Sequence, residues 1–191
     1  MIGSLMKGLR WLPVRRWRIY GAPVYVHVSV VLAGAVALAA AAISPARALL
    51  AAVAYFLVVL VHEMGHAMVV HRLGYAVFAI RVGIIHGRCE FEAPDTEWED
   101  ALIAWGGVAA QFVVASATLV LAEAFWSGQS SPLATVFFVL GYVNLVNAAF
   151  NLLPLNGLDG KRAWRVIPGL FSQMRSRSIV RKAIRGASKR R

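Results

Sequence analysis

His62-Glu63-Met64-Gly65-His66 is a group of residues that could do chemistry. In a helix, residues four apart share a face, so the two imidazoles can grip one metal ion. Glu63 falls beside them, where a carboxylate can take a proton from an activated water. The motif lies inside an apolar run, Leu49 to Val70. Ionisable groups are costly in hydrocarbon, and where they occur there they mark function by default. Two imidazoles and a water leave one ligand missing from a tetrahedral hydrolytic zinc site. The candidates are few: Glu63 itself, six acids between residues 90 and 100, Glu123 and Asp159.

The elements that must position these groups are membrane helices. The 191-residue chain is 59% hydrophobic and 15% charged, with a mean hydropathy of +0.64. A typical soluble domain is about 45–50% apolar and about 25% charged. Four stretches read as transmembrane helices: Val24–Ala42, Ala46–Val70, Ala101–Trp126 and Pro132–Leu153. Each approaches or exceeds the roughly 20 residues a bilayer needs. The first begins after a long basic leader, and another apolar span follows almost at once. That argues against a cleaved signal peptide. A single cysteine, Cys89, excludes an intramolecular disulfide and a cysteine-cluster metal site.

Basic residues set the topology. Lys7, Arg10, Arg15, Arg16 and Arg18 precede the first span, and Arg72, Arg81 and Arg88 follow the second. No basic residue lies between spans three and four, whereas the stretch from Lys161 to Arg191 carries many and no acid. The positive-inside rule places both termini and the 71–100 loop in the cytosol of a multi-pass protein, read as one from the cell membrane of a prokaryote. The net charge of +11 is then mostly juxtamembrane. It suits anionic headgroups, not nucleic acid, because no aromatics are interleaved with the basic tail. Topology also sorts the acids. Glu123 lies near the outer end of span three, a membrane width from the motif. Asp159 follows span four at its cytosolic end, where Pro154, Gly157 and Gly160 break the helix. Irregular backbone at that depth is tolerated where it lines a cavity, so Asp159 is the expected third ligand.

The 71–100 loop reads as a β-hairpin, from alternating β-type residues in 75–83 and 86–92 around Gly83 and Gly87. Thr96 is the expected N-cap of the third span, with Glu97, Glu99 and Asp100 in its first turn. Three segments follow: a basic cytosolic segment 1–20, a membrane core 21–168, and a basic tail 169–191 that is interfacial or disordered. The fold class is an all-α membrane protein, a bundle of about four transmembrane helices with a small cytosolic β-hairpin between the second and third.

The motif HExxH at 62–66, with Asn151-Leu-Leu-Pro154-Leu-Asn-Gly-Leu158-Asp159-Gly160 after a later span, resembles the site-2 protease family of intramembrane zinc metalloproteases. The family's distal motif is NxxPxxxLDG, and both motifs match. The likeness extends to Gly21-Ala-Pro-Val-Tyr-Val-His27 and covers about residues 20–165. It implies one zinc held by His62, His66 and Asp159, with Glu63 as general base. It also implies a site just inside the cytosolic face, a hairpin that pairs with unfolded substrate, and Asn151 contacting substrate or intermediate. The chain departs from the family where its third span opens. Val108 follows Gly107 where proline is usual, and Gln111 stands where asparagine is usual, which leaves the role of position 111 open. No PDZ or CBS module is visible.

Plainer readings stand beside these. His27, His71 and His86 lie outside the motif and read as interfacial. Asn144, Asn147 and Asn151 share a helical face, and interhelical hydrogen bonding accounts for the first two as well as function does. Two rival functions keep the same ligands. A catalytically silent binding protein or regulator would not need Glu63. A metal transporter would need polar groups along a whole path, yet the outer halves of the spans are almost wholly apolar. The expected activity is hydrolysis of peptide bonds in single-span transmembrane substrates near the cytosolic face. Oligomeric state stays open, a homo-oligomer included.

Overall fold

The structure is a computed structural model, and it describes residues 11–30, 44–83, 87–125 and 132–167. Pro45 stands at the start of helix α1 (Pro45–Arg72), where its missing N–H goes unneeded. The helix ends in a Schellman turn. Gly74 takes the left-handed φ of +89°, its N–H donates to His71 O at 3.1 Å, and Tyr75 N–H donates to Val70 O at 3.1 Å. Helix α2 (Glu97–Phe125) starts on a capping box. Glu99 N–H donates to Thr96 Oγ1 at 3.2 Å, and the Glu99 carboxylate accepts from Thr96 N–H at 3.1 Å.

The third long helix, α3 (Pro132–Asn151), is not uniform. Its middle, Val139–Val143, is a π turn. Such a turn carries one extra residue and so rotates everything after it by about 100° relative to a regular helix. The rotation decides which way Asn144, Asn147 and Asn151 face. A short helix, α4 (Gly160–Ala163), follows.

These three long helices are each long and apolar enough to cross a membrane. Val113, Val120 and Val146 on their outer faces are each 69% exposed, a surface suited to lipid. The chain is a multi-pass membrane protein. The expected first span, Val24–Ala42, lies mostly outside the described residues, so among those residues three spans are seen where four were expected.

The sheet is larger than the sequence suggests. Four strands, β1 (Trp11–Ile19), β2 (Ala22–His27), β3 (Val77–Val82) and β4 (Gly87–Phe91), run in that order across it. The β1–β2 and β3–β4 pairs are antiparallel and β2–β3 is parallel. The parallel pair needs a long crossover, and the chain between those strands includes α1. The hairpin expected between the second and third spans is present as β3–β4. The all-α description is corrected to a mostly helical fold with a four-stranded sheet. Residues Val24–Val26 look like the start of a span because they are apolar. They are a strand because they pair with Ile80–Val82. Val24, Ile80, Val82 and Cys89 bury one face of the sheet against Val59, Leu60 and Ala67 of α1. The tail 169–191 lies outside the described residues.

Candidate metal centre

The site begins with two glycines. A Cβ on Gly65 would lie 2.8 Å from Ala110 Cβ, and one on Gly106 would lie 2.7 Å from the Gly65 carbonyl oxygen. Only bare backbone lets α1 and α2 approach this closely. The contact sets Ile103, Gly107 and Gln111, spaced one turn apart on α2, opposite His62 and His66 of α1. Gly107 leaves room for the imidazoles, since a Cβ there would meet His66 Nε2 at 2.6 Å.

Each imidazole has its outer nitrogen engaged. His66 Nδ1 lies 2.7 Å from the Ile103 carbonyl, and His62 Nδ1 lies 2.9 Å from Gln111 Oε1. A carbonyl oxygen only accepts, so each Nδ1 is the donor here, and a neutral ring then presents a lone pair at Nε2. The two Nε2 atoms are 3.1 Å apart. Asp159 Oδ2 completes a triangle with them, at 2.8 Å from His62 and 3.0 Å from His66.

Asp159 reaches this point because α3 stops at Asn151. The next residues turn back through Gly157, whose φ of +90° suits glycine. Two tryptophans tie the returning segment down: Trp164 Nε1–H donates to Leu152 O at 2.7 Å, and Trp105 Nε1–H donates to Ala163 O at 3.0 Å. Arg162 bridges Asp100 at the start of α2, through Nε at 3.0 Å, and its Nη1 lies 3.9 Å from Asp159 Oδ1. An aspartate carboxyl is ordinarily ionised at neutral pH.

Three acceptors thus converge with no proton left to place between them. A cation satisfies all three at once. The 2.8–3.1 Å edges of the triangle are a little shorter than the roughly 3.3 Å between ligands in a tetrahedral site with bonds of about 2.0–2.1 Å. The donor set fits a zinc ion with small movements of side chains. His62, His66 and Asp159 are the group of this kind found among the described residues.

Glu63 is 3% exposed and turns toward the sheet. Its carboxylate accepts from the backbone N–H of Cys89, and a Cβ on Gly87 would lie 2.7 Å from its carboxyl carbon. Burial pushes the Cys89 thiol up to about 12, so it stays protonated and inert. His62, Glu63, His66 and Asp159 all face one cavity of about 450 Å³, whose wall includes Asn151, Asn147, Arg162 and residues 87–89 of β4.

The residues singled out in the sequence, His62, Glu63, His66, Asp159 and Asn151, all come together here. Gln111 was left open there, and Ile103, Gly107, Asp100 and Arg162 were not singled out for the site. Position 111 carried one signal, a polar residue inside an apolar span. The Ile103 carbonyl carried none, because any residue type supplies it.

The chain superposes on the "Site-2 Protease from Methanocaldococcus jannaschii" with a TM-score of 0.64 and 23% sequence identity. The match covers 82% of this chain and 71% of that one. The fold is that of a site-2 protease. No protein-family model matches the chain, and no curated protein matches it.

Proposed function

We propose that the protein is an intramembrane zinc metalloprotease of site-2 protease type, cleaving transmembrane segments near the cytosolic face. One observation carries this reading: the Nε2 atoms of His62 and His66 and a carboxylate oxygen of Asp159 converge beside a buried glutamate, on a cavity walled by a strand. The wider resemblance of motifs and the shared fold support it.

His62, His66 and Asp159 hold the zinc, one per chain. When bound, zinc lowers the pKa of a water toward about 7 and polarises a carbonyl. Glu63 accepts a proton from the attacking water as its oxygen bonds to the scissile carbonyl carbon. Glu63 then returns that proton to the amide nitrogen as the C–N bond breaks. Ile103 O holds the His66 imidazole in the tautomer that leaves Nε2 free. Asn151, on the cavity wall, is placed to contact the carbonyl of the substrate or intermediate.

A helical substrate hides its peptide bonds in its own hydrogen bonds and must unwind to react. Among the described residues the strand order leaves the outer edge of β4 without a neighbouring strand, and β4 lines the cavity. Strand addition there would hold the unwound segment by backbone hydrogen bonds, with little demand on its sequence. The basic residues orient both termini and the sheet toward the cytosol and its anionic headgroups.

The test is cleavage of a single-span substrate in liposomes by the wild type and Glu63→Gln. The wild type should cleave with zinc present and stop when it is removed. Glu63→Gln should keep zinc and lose cleavage. Full activity in Glu63→Gln would overturn the assignment. Protease accessibility in sealed vesicles checks orientation, and a C-terminus on the outer side would refute it.

A further inference from the structure

His66 is oriented by a backbone carbonyl, which substitution cannot remove. His62 is oriented by a side chain, and that side chain belongs to a longer chain of amides. Gln111 is fully buried, with 0% exposure. Its Oε1 accepts from His62 Nδ1–H at 2.9 Å, and its Nε2–H donates to Asn147 Oδ1 at 2.9 Å. Asn147 Oδ1 also accepts from Asn151 Nδ2–H at 3.2 Å, and Asn151 lies on the cavity wall. Separately, Asn144 Nδ2–H donates to the backbone carbonyl of Gln111 at 3.1 Å.

An amide has one donating end and one accepting end, so the links of this chain cannot be set independently. With Gln111 Oε1 toward His62, the imidazole proton must sit on Nδ1, and Nε2 is bare. If Gln111 reverses, its N–H₂ faces His62 and Nδ1 must be bare instead. The proton then sits on Nε2, 2.8 Å from Asp159 Oδ2, which accepts it. The reversed Gln111 oxygen faces Asn147, which must turn its own N–H₂ inward, and Asn151 must turn in its oxygen. The first setting suits a site holding a cation. The second suits the same site without one, because a hydrogen bond then relieves the clash of lone pairs.

We propose, resting on the zinc-protease reading, that Gln111 is the positioning residue that selects the metal-ready tautomer of His62. We further infer that Gln111, Asn147 and Asn151 form one two-setting polar chain, so that zinc occupancy fixes which end of the Asn151 amide turns inward. The Asn144 bond is to backbone and is the same in both settings. It pins α3 to α2 and takes no part in the selection.

The test uses the full chain in detergent, with zinc affinity read by chelator competition and the cobalt(II) form read by its absorption bands. Gln111→Leu should lose about 10–100-fold in zinc affinity and shift the cobalt bands. Gln111→Glu keeps an acceptor toward His62 and should restore both toward wild type. Asn144→Ala should lower thermal stability while leaving zinc affinity and the cobalt bands unchanged. In wild-type protein with ¹⁵N-labelled histidine, NMR should place the His62 proton on Nδ1 with zinc and on Nε2 after zinc removal. This needs no variant to fold. Wild-type zinc affinity and cobalt bands in Gln111→Leu, or a zinc-loaded His62 without a proton on Nδ1, would overturn the proposal. If Gln111→Leu also cleaved normally, the protease reading would still stand, whereas a wild type that binds no zinc would defeat the protease reading itself.

Discussion

Helix α1 has two seams of opposite character. Against α2 it packs backbone to backbone through Gly65 and Gly106, and this seam holds the imidazoles, Ile103 O and Gln111. Against the sheet it packs apolar side chains, Val59, Leu60 and Ala67 onto Ile80, Val82 and Cys89. Glu63 belongs to that second side, held by the Cys89 amide. His62, His66 and Glu63 are neighbours in sequence, but the two imidazoles and the carboxylate are supported by different elements. Metal binding and proton transfer should therefore fail separately.

The largest effects should come from the ligands and the base. His66→Ala should abolish both zinc binding and cleavage, read by metal analysis and a gel assay. Glu63→Gln should cut cleavage by about 10²–10⁴-fold while leaving zinc in place. Loss of zinc from Glu63→Gln would mean that the two seams are not independent.

Next comes the glycine seam. Gly107→Val would push a side chain into His66 Nε2, so zinc affinity should collapse while the sheet side stays intact. Retained zinc would show that α1 and α2 can part without disturbing the site. The same test applied to the sheet seam uses proline, which removes a backbone donor without touching the ligands. Proline substitutions stepped along β4 should spare zinc. They should slow cleavage of stable helical substrates more than cleavage of substrates weakened by glycine or proline. Equal slowing of both, or none, would remove strand addition from the account.

The smallest effect concerns Cys89. Its buried, protonated thiol should resist alkylation at pH 8 in the folded protein and react only on unfolding, as mass spectrometry would show. Rapid labelling would mean that the sheet seam opens readily.

The convergence of His62, His66 and Asp159 beside Glu63 was readable in the sequence because its signals are local. Spacing of four puts His62 and His66 on one helix face, and a helix break at Pro154 and Gly157 brings Asp159 back to that depth. Thr96 as a cap is local too. The β1–β2 pair was not readable, because a short apolar stretch such as Val24–Val26 suits a strand and the start of a span equally. Only its pairing with Ile80–Val82 decides. The support for the imidazoles was hidden for a different reason. Gln111 matters through what lies across a helix seam, and Ile103 matters through an atom that every residue has. The π turn at Val139–Val143 leaves no compositional trace, yet it determines which way the asparagines of α3 face.

The central claim is that His62, His66 and Asp159 share one zinc ion. Anomalous scattering from a crystal of the full chain, collected across the zinc edge, tests it most directly. One peak is expected per chain, bonded to His62 Nε2, His66 Nε2 and an Asp159 carboxylate oxygen. A zinc-replete crystal with no peak there, or with zinc bound through Nδ1 of either histidine, would contradict it.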